Sequence, residues 1–258
     1  MKKIIGFCAA FIFSSVIVFP QEVQKRKKEK KGTVYGAFGT HRIFFTPCDI
    51  HLKGSNPSFD FTLEKVRGKD EGGLKFKSAP QFSYTIGYYF KEKNFGLEYQ
   101  YDHIKFFTRE NQIVRLKGTI SGKPYNQDTL LTPDLAYIEH SDGGNYAMVN
   151  VVKWLPVAST KNQKHILTLL VKAGAGVVNP KTNSYVLGKH RDDRYHISGY
   201  IFGAESGIRY NFFKYFFATG TFKGAFANYS DFLIADGRGS QKWFSAQFNY
   251  LLGVQFPL

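Results

Sequence analysis

The sequence predicts an all-β protein: a closed, antiparallel, up-and-down transmembrane β-barrel of about eight strands, with long extracellular loops and short periplasmic turns. Long segments alternate between apolar and polar residues, charged residues fall on the polar side, and short and long connections take turns along the chain. The 258 residues include 26 Phe, 16 Tyr and 25 Gly, which suits strands better than helices. Beyond the N-terminal segment, no run reaches the roughly 20 unbroken apolar residues of a spanning helix.

The last predicted strand, over 244–256, carries the clearest alternation. Its outer row is apolar and aromatic, and the residues between are mostly polar or small. A soluble strand averages roughly 5 to 6 residues, whereas a tilted membrane-spanning strand needs about 9 to 11. A strand of this length therefore favours a lipid-facing wall. The row consists of Phe244, Ala246, Phe248, Tyr250, Leu252, Val254 and Phe256.

Seven further segments show the same alternation, and the connections between them differ in length. The segments cover 33–45, 81–90, 95–106, 145–155, 164–178, 196–212 and 214–229. The connections are short at 91–94, 156–163 and near 213, and long at 47–80, 107–144, 179–195 and 230–242. Short turns on one side and long loops on the other are typical of outer-membrane barrels, with both chain ends in the periplasm.

The polar rows carry charges that we expect to lie inside the barrel and to form salt bridges in a lumen filled by side chains. This lumen charge network consists of Glu98, Lys172, Glu205, Arg209 and Lys223. A soluble barrel of the lipocalin kind is the alternative, but its apolar interior could not hold so many charges. A narrow ion channel is a further alternative for a charged lumen.

The N-terminus carries the signals of export. Lys2 and Lys3 precede an apolar run over 4–19, which predicts a secretory signal peptide. The predicted parts are a signal peptide (1–21), a basic periplasmic tail (22–32) and the barrel (33–258). Export and a barrel together predict the cell outer membrane of a Gram-negative bacterium. Cys48 is the only cysteine after the leader, so we expect neither an internal disulfide nor a cysteine metal site.

Polar residues at the extracellular ends of the third and fourth predicted strands form a candidate binding site. This rim cluster consists of Asp102, His103, Glu139, His140, Ser141 and Asp142. An acid, an imidazole and a hydroxyl within reach could activate a nucleophile, as in small barrels that trim acyl chains from lipid A. However, His140 and Ser141 are adjacent, and neighbours in a strand point to opposite faces. We therefore assign no catalytic residue, and ligand capture and simple rim polarity both stay open.

Five stretches resemble a family of outer-membrane β-barrel proteins found in the Bacteroidetes. They are 59–63 (FDFTL), 101–105 (YDHIK), 139–143 (EHSDG), 174–183 (GAGVVNPKTN) and 212–217 (FFKYFF). The resemblance extends over most of the chain from about residue 33 and implies an outer-membrane barrel. It implies no activity and no catalytic residues. The C-terminus departs from the usual barrel ending, because Pro257 and Leu258 follow the last aromatic residue, Phe256.

The resulting hypothesis is a non-enzymatic, monomeric outer-membrane protein that serves envelope structure, surface contact or small-ligand capture through its extracellular loops. The alternatives are a lipid A acyl hydrolase at the outer-leaflet rim and the narrow channel. Despite a net charge of +15 we expect no nucleic-acid partner, because no base-reading motif accompanies the charge. We expect no metal or cofactor. The expected partners are outer-membrane lipid and lipopolysaccharide, and an extracellular ligand stays open.

Overall fold

The computed structural model describes residues 32–70, 81–140 and 142–258. Within these ranges there is no helix long and apolar enough to cross a membrane. The strands are β1 (Thr33–Phe45), β2 (Cys48–Ser55), β3 (Ser58–Val66), β4 (Gly68–Lys69), β5 (Phe82–Phe90), β6 (Phe95–His103), β7 (Phe106–Thr108), β8 (Gln112–Ile120), β9 (Lys123–Leu131), β10 (Ala136–His140), β11 (Tyr146–Ser159), β12 (His165–Val178), β13 (Asn183–Val186), β14 (Lys189–Arg191), β15 (Gly199–Phe212), β16 (Phe216–Ile234) and β17 (Gly237–Pro257). Their pairings are antiparallel, so the prediction of an all-β antiparallel fold is confirmed. The predicted signal peptide, and the predicted tail up to residue 31, lie outside the described residues.

Eight strands are linked by a continuous series of pairings, which we call the strand ring. The order is β1, β5, β6, β11, β12, β15, β16 and β17. β17 then pairs with β1 from Thr33↔Pro257 to Phe45↔Ser245, so the series returns to its first strand. The eight segments predicted from alternation fall on these eight strands.

At one end of the ring the strands are joined by tight turns over 91–94, 160–164 and 213–215. Asn94 has a φ of 55°, in the left-handed region that asparagine tolerates better than most residues. Thr33 and Pro257 pair with each other at this same end. The first and last strands of the ring therefore enter and leave on the side of the short turns.

At the opposite end the long connections fold into a second β structure, which we call the cap. It comprises β2–β4, β7–β10, β13 and β14, together with the tip of the β16–β17 hairpin. Residues 237–241 of β17 pair with 50–54 of β2, and the sheet continues through β3, β8 and β9. A second sheet has the order β14-β13-β10-β7-β4. The cap is thus built partly as a direct extension of the ring's own sheet.

The predicted long loop over 230–242 is wrong. β16 runs to Ile234 and β17 begins at Gly237, so only a two-residue turn separates the strands. A bulge between Tyr229 and Phe232 shifts the register of this hairpin. The bulge interrupts the alternation by one residue, which is why the pattern placed the end of the strand too early.

One hydrophobic core joins the cap to the top of the ring. Phe106 stacks on Trp243 with ring centroids 4.7 Å apart, which connects the second sheet to β17. Phe61 in β3 and Ile138 in β10 contribute from the two sheets of the cap, and each is 1% exposed. Burial of such side chains is the main stabilising term of a small β structure. The cap therefore has a packed interior continuous with that of the ring.

Replacing Phe61 by alanine removes a fully buried ring from this core. We expect Phe61→Ala to destabilise the cap by about 3–5 kcal/mol, because a lost aromatic side chain also leaves a cavity. Protease susceptibility and near-ultraviolet circular dichroism of the purified full chain would report the loosened cap. The control is Thr62→Ala, the next residue on the opposite, half-buried face. Equal protease resistance of the two variants would contradict a packed cap core.

Candidate functional site

The interior of the ring is lined by polar side chains that include charged groups. Six charged side chains of ring strands are at most 4% exposed: Glu98, Asp102, Lys172, Glu205, Arg209 and Lys223. Three are acidic and three are basic, so their formal charges sum to zero. Buried charges are tolerated when they are paired and hydrogen-bonded. Because side chains of a strand alternate between faces, the adjacent rows are left apolar and exposed.

Lys172 links two acidic groups at the middle of the ring. Its Nζ lies 2.7 Å from Glu98 Oε1 and 3.3 Å from Glu205 Oε1. Backbone register places Lys172 directly opposite Glu205, and Glu205 directly opposite Lys223. Thr221 Oγ1 donates a hydrogen bond to Glu205. One ammonium group thus bridges β6 and β15 from β12 between them.

Asp102 faces the same interior. It forms a salt bridge with Lys223, and its Oδ1 accepts a hydrogen bond of 2.6 Å from Ser83 Oγ. Gln100 Nε2 donates to the same carboxylate at 3.1 Å. Ser83 Oγ also lies 2.9 Å from His41 Nδ1. Sequence reasoning missed His41 and Ser83, although the alternation of β1 and β5 places both on inward rows.

Arg209 lies in an aromatic enclosure towards the turn end of the ring. Its guanidinium carbon is 3.4 Å from the ring centroid of Phe217, 4.2 Å from that of Trp154 and 5.3 Å from that of Tyr35. Its Nη2 donates to Gln255 Oε1 at 2.6 Å, so both cation–π contact and a hydrogen bond hold it. The space left among these residues is about 10 Å³. This is near the least volume that holds a single water molecule.

The rim cluster is divided among several environments. His103 Nδ1 lies 3.0 Å from Asn145 Oδ1, and its ring stacks on Phe82. Glu139 Oε2 accepts a long hydrogen bond of 3.4 Å from Asn183 Nδ2. Asp142 pairs with Lys181 at 2.7 Å on the exposed surface. Ser141 lies outside the described residues.

His140 is fully buried in the cap core. Its Nδ1 lies 3.0 Å from Thr182 Oγ1, its Nε2 lies 2.6 Å from Gln241 Nε2, and its ring stacks on Tyr229. Burial disfavours the imidazolium form and lowers the pKa of His140 to about 3. Asp102 contacts Lys223 and Ser83 instead, so these two members of the predicted cluster have separate partners. The contacts of His140 are those of a structural side chain in a packed core.

Several cations of the cap are paired with acidic residues within the cap. Lys181 contacts both Asp142 and Asp192, and these hydrogen bonds raise its pKa. Lys189 lies 2.5 Å from Asp236, and Arg191 lies 2.9 Å from Asp193. Their charge is therefore offset locally. In the described part of the chain, no group of three or more His, Cys, Asp or Glu residues is placed to hold a metal ion.

No family model and no curated protein matches the chain. Among solved structures, it is similar to Ail, the attachment invasion locus protein of Yersinia pestis, at 11% identity and a TM-score of 0.30, over 88% of this chain and 99% of Ail. It is also similar to Neisserial surface protein A at 8% identity and a TM-score of 0.30, over 87% and 97% of the two chains. A third similarity is to the InvG secretin β-barrel of the Salmonella injectisome, at 8% identity and a TM-score of 0.20, over 89% and 63%. At these values, none of the three informs the role of this chain.

Removing the central ammonium group tests the charge network. In Lys172→Met, the carboxylates of Glu98 and Glu205 lose their shared partner, and we expect about 3–5 kcal/mol of destabilisation. Thermal unfolding of the purified full chain, followed by circular dichroism, measures the change. Lys161→Met, in the exposed turn over 160–164, is the matched control. A Lys172→Met protein as stable as the control would mean that the ion pairs are dispensable.

The buried imidazole predicts that the cap weakens in acid. In the unfolded cap, His140 takes up a proton below its ordinary pKa of about 6.5. In the folded cap, the same imidazole stays neutral until about pH 3. Stability is therefore full above about pH 6.5 and falls as the pH is lowered, by at most about 1.4 kcal/mol per unit for this group. Cap unfolding between pH 7 and pH 4 measures this slope. His140→Gln should flatten the slope, and His190→Gln, at an exposed position of the cap, should leave it in place.

Proposed function

We propose that the strand ring closes as an eight-stranded transmembrane barrel in the outer membrane of a Gram-negative bacterium. Its outward rows are apolar, with Phe38 and Phe244 each 62% exposed and Leu252 68% exposed. An outward apolar face and an inward charged face suit contact with lipid rather than with water. Return of the pairing from β17 to β1 supports closure, since no backbone group is then left unpaired at a sheet edge within the bilayer.

The orientation that we propose puts the short turns in the periplasm and the cap outside the cell. Bacterial outer-membrane barrels have short periplasmic turns and longer extracellular loops. The basic tail over 22–32 then lies on the periplasmic side, after removal of a signal peptide over 1–21. The resemblance of the five sequence stretches leads us to propose, in addition, that the protein is a Bacteroidetes-type outer-membrane barrel.

The function that the geometry supports best is surface contact by a rigid extracellular platform, without catalysis. The observation that carries it is the continuous core: β17 passes from the ring into the cap and pairs there with β2. A platform fixed in this way presents β2, β3, β8 and β9 at a defined position above the membrane. Small-ligand capture by the cap and a structural role in the envelope are variants of the same proposal. The protein acts as a monomer.

The two alternatives receive less support from the contacts. A lipid A hydrolase needs an acid, a base and a nucleophile together, but Asp102 pairs with Lys223 while His140 contacts Thr182 and Gln241. A channel needs a continuous path, but Arg209 and its aromatic neighbours leave a space of about 10 Å³. We therefore keep the non-enzymatic, non-conducting role.

Surface labelling of whole cells tests the location and orientation together. Asn126 is exposed in the cap and Lys161 is exposed in a turn at the other end of the ring. We expect Asn126→Cys, but not Lys161→Cys, to react with a membrane-impermeant maleimide in intact cells that produce the full chain. The native Cys48 is buried and should give little background. Permeabilised cells should label both variants, and labelling of Lys161→Cys alone in intact cells would refute the orientation.

A further inference from the structure

We propose that the outward face of β1 and β17 holds a specific lipid site: Arg42 binds a phosphate of lipid A, and two apolar grooves below it hold acyl chains. This inference rests on the proposed orientation and names one membrane partner of the barrel.

Arg42 is the one charged residue in the outward row of β1, which is otherwise mostly apolar. The outward residues of β1 are Val34, Gly36, Phe38, Thr40, Arg42 and Phe44. Arg42 is exposed, and no hydrogen bond or ion pair joins it to another described residue. It pairs across the sheet with Phe248, which is exposed on the neighbouring row of β17. Arg42 thus differs from the cap cations, whose acidic partners are close.

The depth of Arg42 determines which partner it can reach. Only one outward residue of β1, Phe44, follows it towards the cap, so Arg42 lies near the extracellular edge of the apolar band. An arginine on the lipid face costs about 2–4 kcal/mol at the midplane and about 0–1 near the interface. At this depth its long side chain can reach the headgroup layer. A guanidinium binds phosphate through two parallel hydrogen bonds, which offsets the remaining cost.

Two grooves lie on the surface of β1 on the turn side of Arg42, and the upper one begins at Thr40, the adjacent outward residue. The upper groove, of about 610 Å³, is lined by Phe38, Gly39, Thr40, Ala218, Tyr250 and Leu252 among others. The lower groove, of about 660 Å³, includes Gly36, Phe38, Ile86, Phe216, Leu252 and Val254. Phe38 and Leu252 line both grooves, so the two recesses adjoin. Their lining is apolar, as an acyl chain requires.

Small residues create this recess within a surface of large ones. Gly36 and Ala218 occupy outward positions where the same rows elsewhere carry Phe38 and Phe216. At Gly39 a Cβ atom would lie 2.0 Å from the carbonyl oxygen of Tyr250, so the close approach of β1 and β17 requires glycine there. The surface is therefore indented on the turn side of Arg42, the outward cation of β1. Phosphate above and several acyl chains below are the chemistry of lipid A, the phosphorylated glycolipid of the outer leaflet.

Native mass spectrometry of the full chain in detergent, with hexa-acylated lipid A added, tests the site. We expect wild-type protein to retain lipid A. We expect the affinity of Arg42→Gln for lipid A to be lower by about tenfold or more, because a charge-assisted contact is lost. Ala218→Leu should also lower retention, because the added side chain enters the upper groove. The matched controls are Lys153→Gln, an outward cation on β11, and Gly224→Leu, whose Cβ meets nothing within 4 Å. Both controls should retain lipid A like wild type.

Several outcomes would overturn the lipid site while leaving the barrel intact. One is equal retention of lipid A by Arg42→Gln and wild type, and another is tighter retention of phosphatidylglycerol than of lipid A in a parallel titration. Heat-modified migration of every variant confirms that it is folded. Failure of the proposed function would look different: labelling of Asn126→Cys and Lys161→Cys would then show the wrong orientation, whatever the lipid retention.

Discussion

The rest of the structure depends on one constraint: the charges of the acidic and basic side chains buried inside the ring must offset one another. A strand wall that is apolar on the outside must place its polar residues inside, because the side-chain period of a strand is two. Those polar residues are then removed from water, and each charge needs a partner within reach. Lys172 between Glu98 and Glu205, and Lys223 against Asp102, meet this need. Removing one partner from either group would leave a buried charge uncompensated, which is strongly destabilising.

The same network explains why the ring is filled and why the cap can be packed above it. Long side chains from facing strands meet at the centre, and Arg209 with its aromatic neighbours occupies the turn end. Towards the cap the lining changes from charged to aromatic, with Tyr146, Tyr229 and Trp243 fully buried. Trp243 Nε1 donates to Tyr146 Oη at 2.9 Å, so the transition layer is itself hydrogen-bonded. The hydrophobic core of the cap therefore continues from a buried aromatic layer that lies next to the polar interior.

The ring strands could be predicted because their signal is local and repeated. Residues 244–256 alternate without interruption, and the lumen charges fall in register with the polar rows. The cap could not be predicted, because its strands are short and pair with distant partners, such as β2 with β17, which no local pattern encodes. A single bulge at Tyr229 and Phe232 was enough to misplace the end of a nineteen-residue strand. For the candidate site, the residue types were recognisable and the alternation of β6 places Asp102 on the same face as Glu98. Its partners Lys223 and Ser83 belong to other strands, and no local pattern encodes those contacts.

Comparison of Arg42 with Arg209 shows that the face of a strand decides what an arginine does in such a protein. Arg209 is on an inward row, is 2% exposed and is held by Gln255 and three aromatic rings, so its interactions are complete within the chain. Arg42 is on an outward row with no protein partner among the described residues, beside an indented apolar surface. The first position is explained by folding alone. The second is a cation beside an apolar surface, and in the lipid site that we propose an anionic headgroup offsets the cost of its charge.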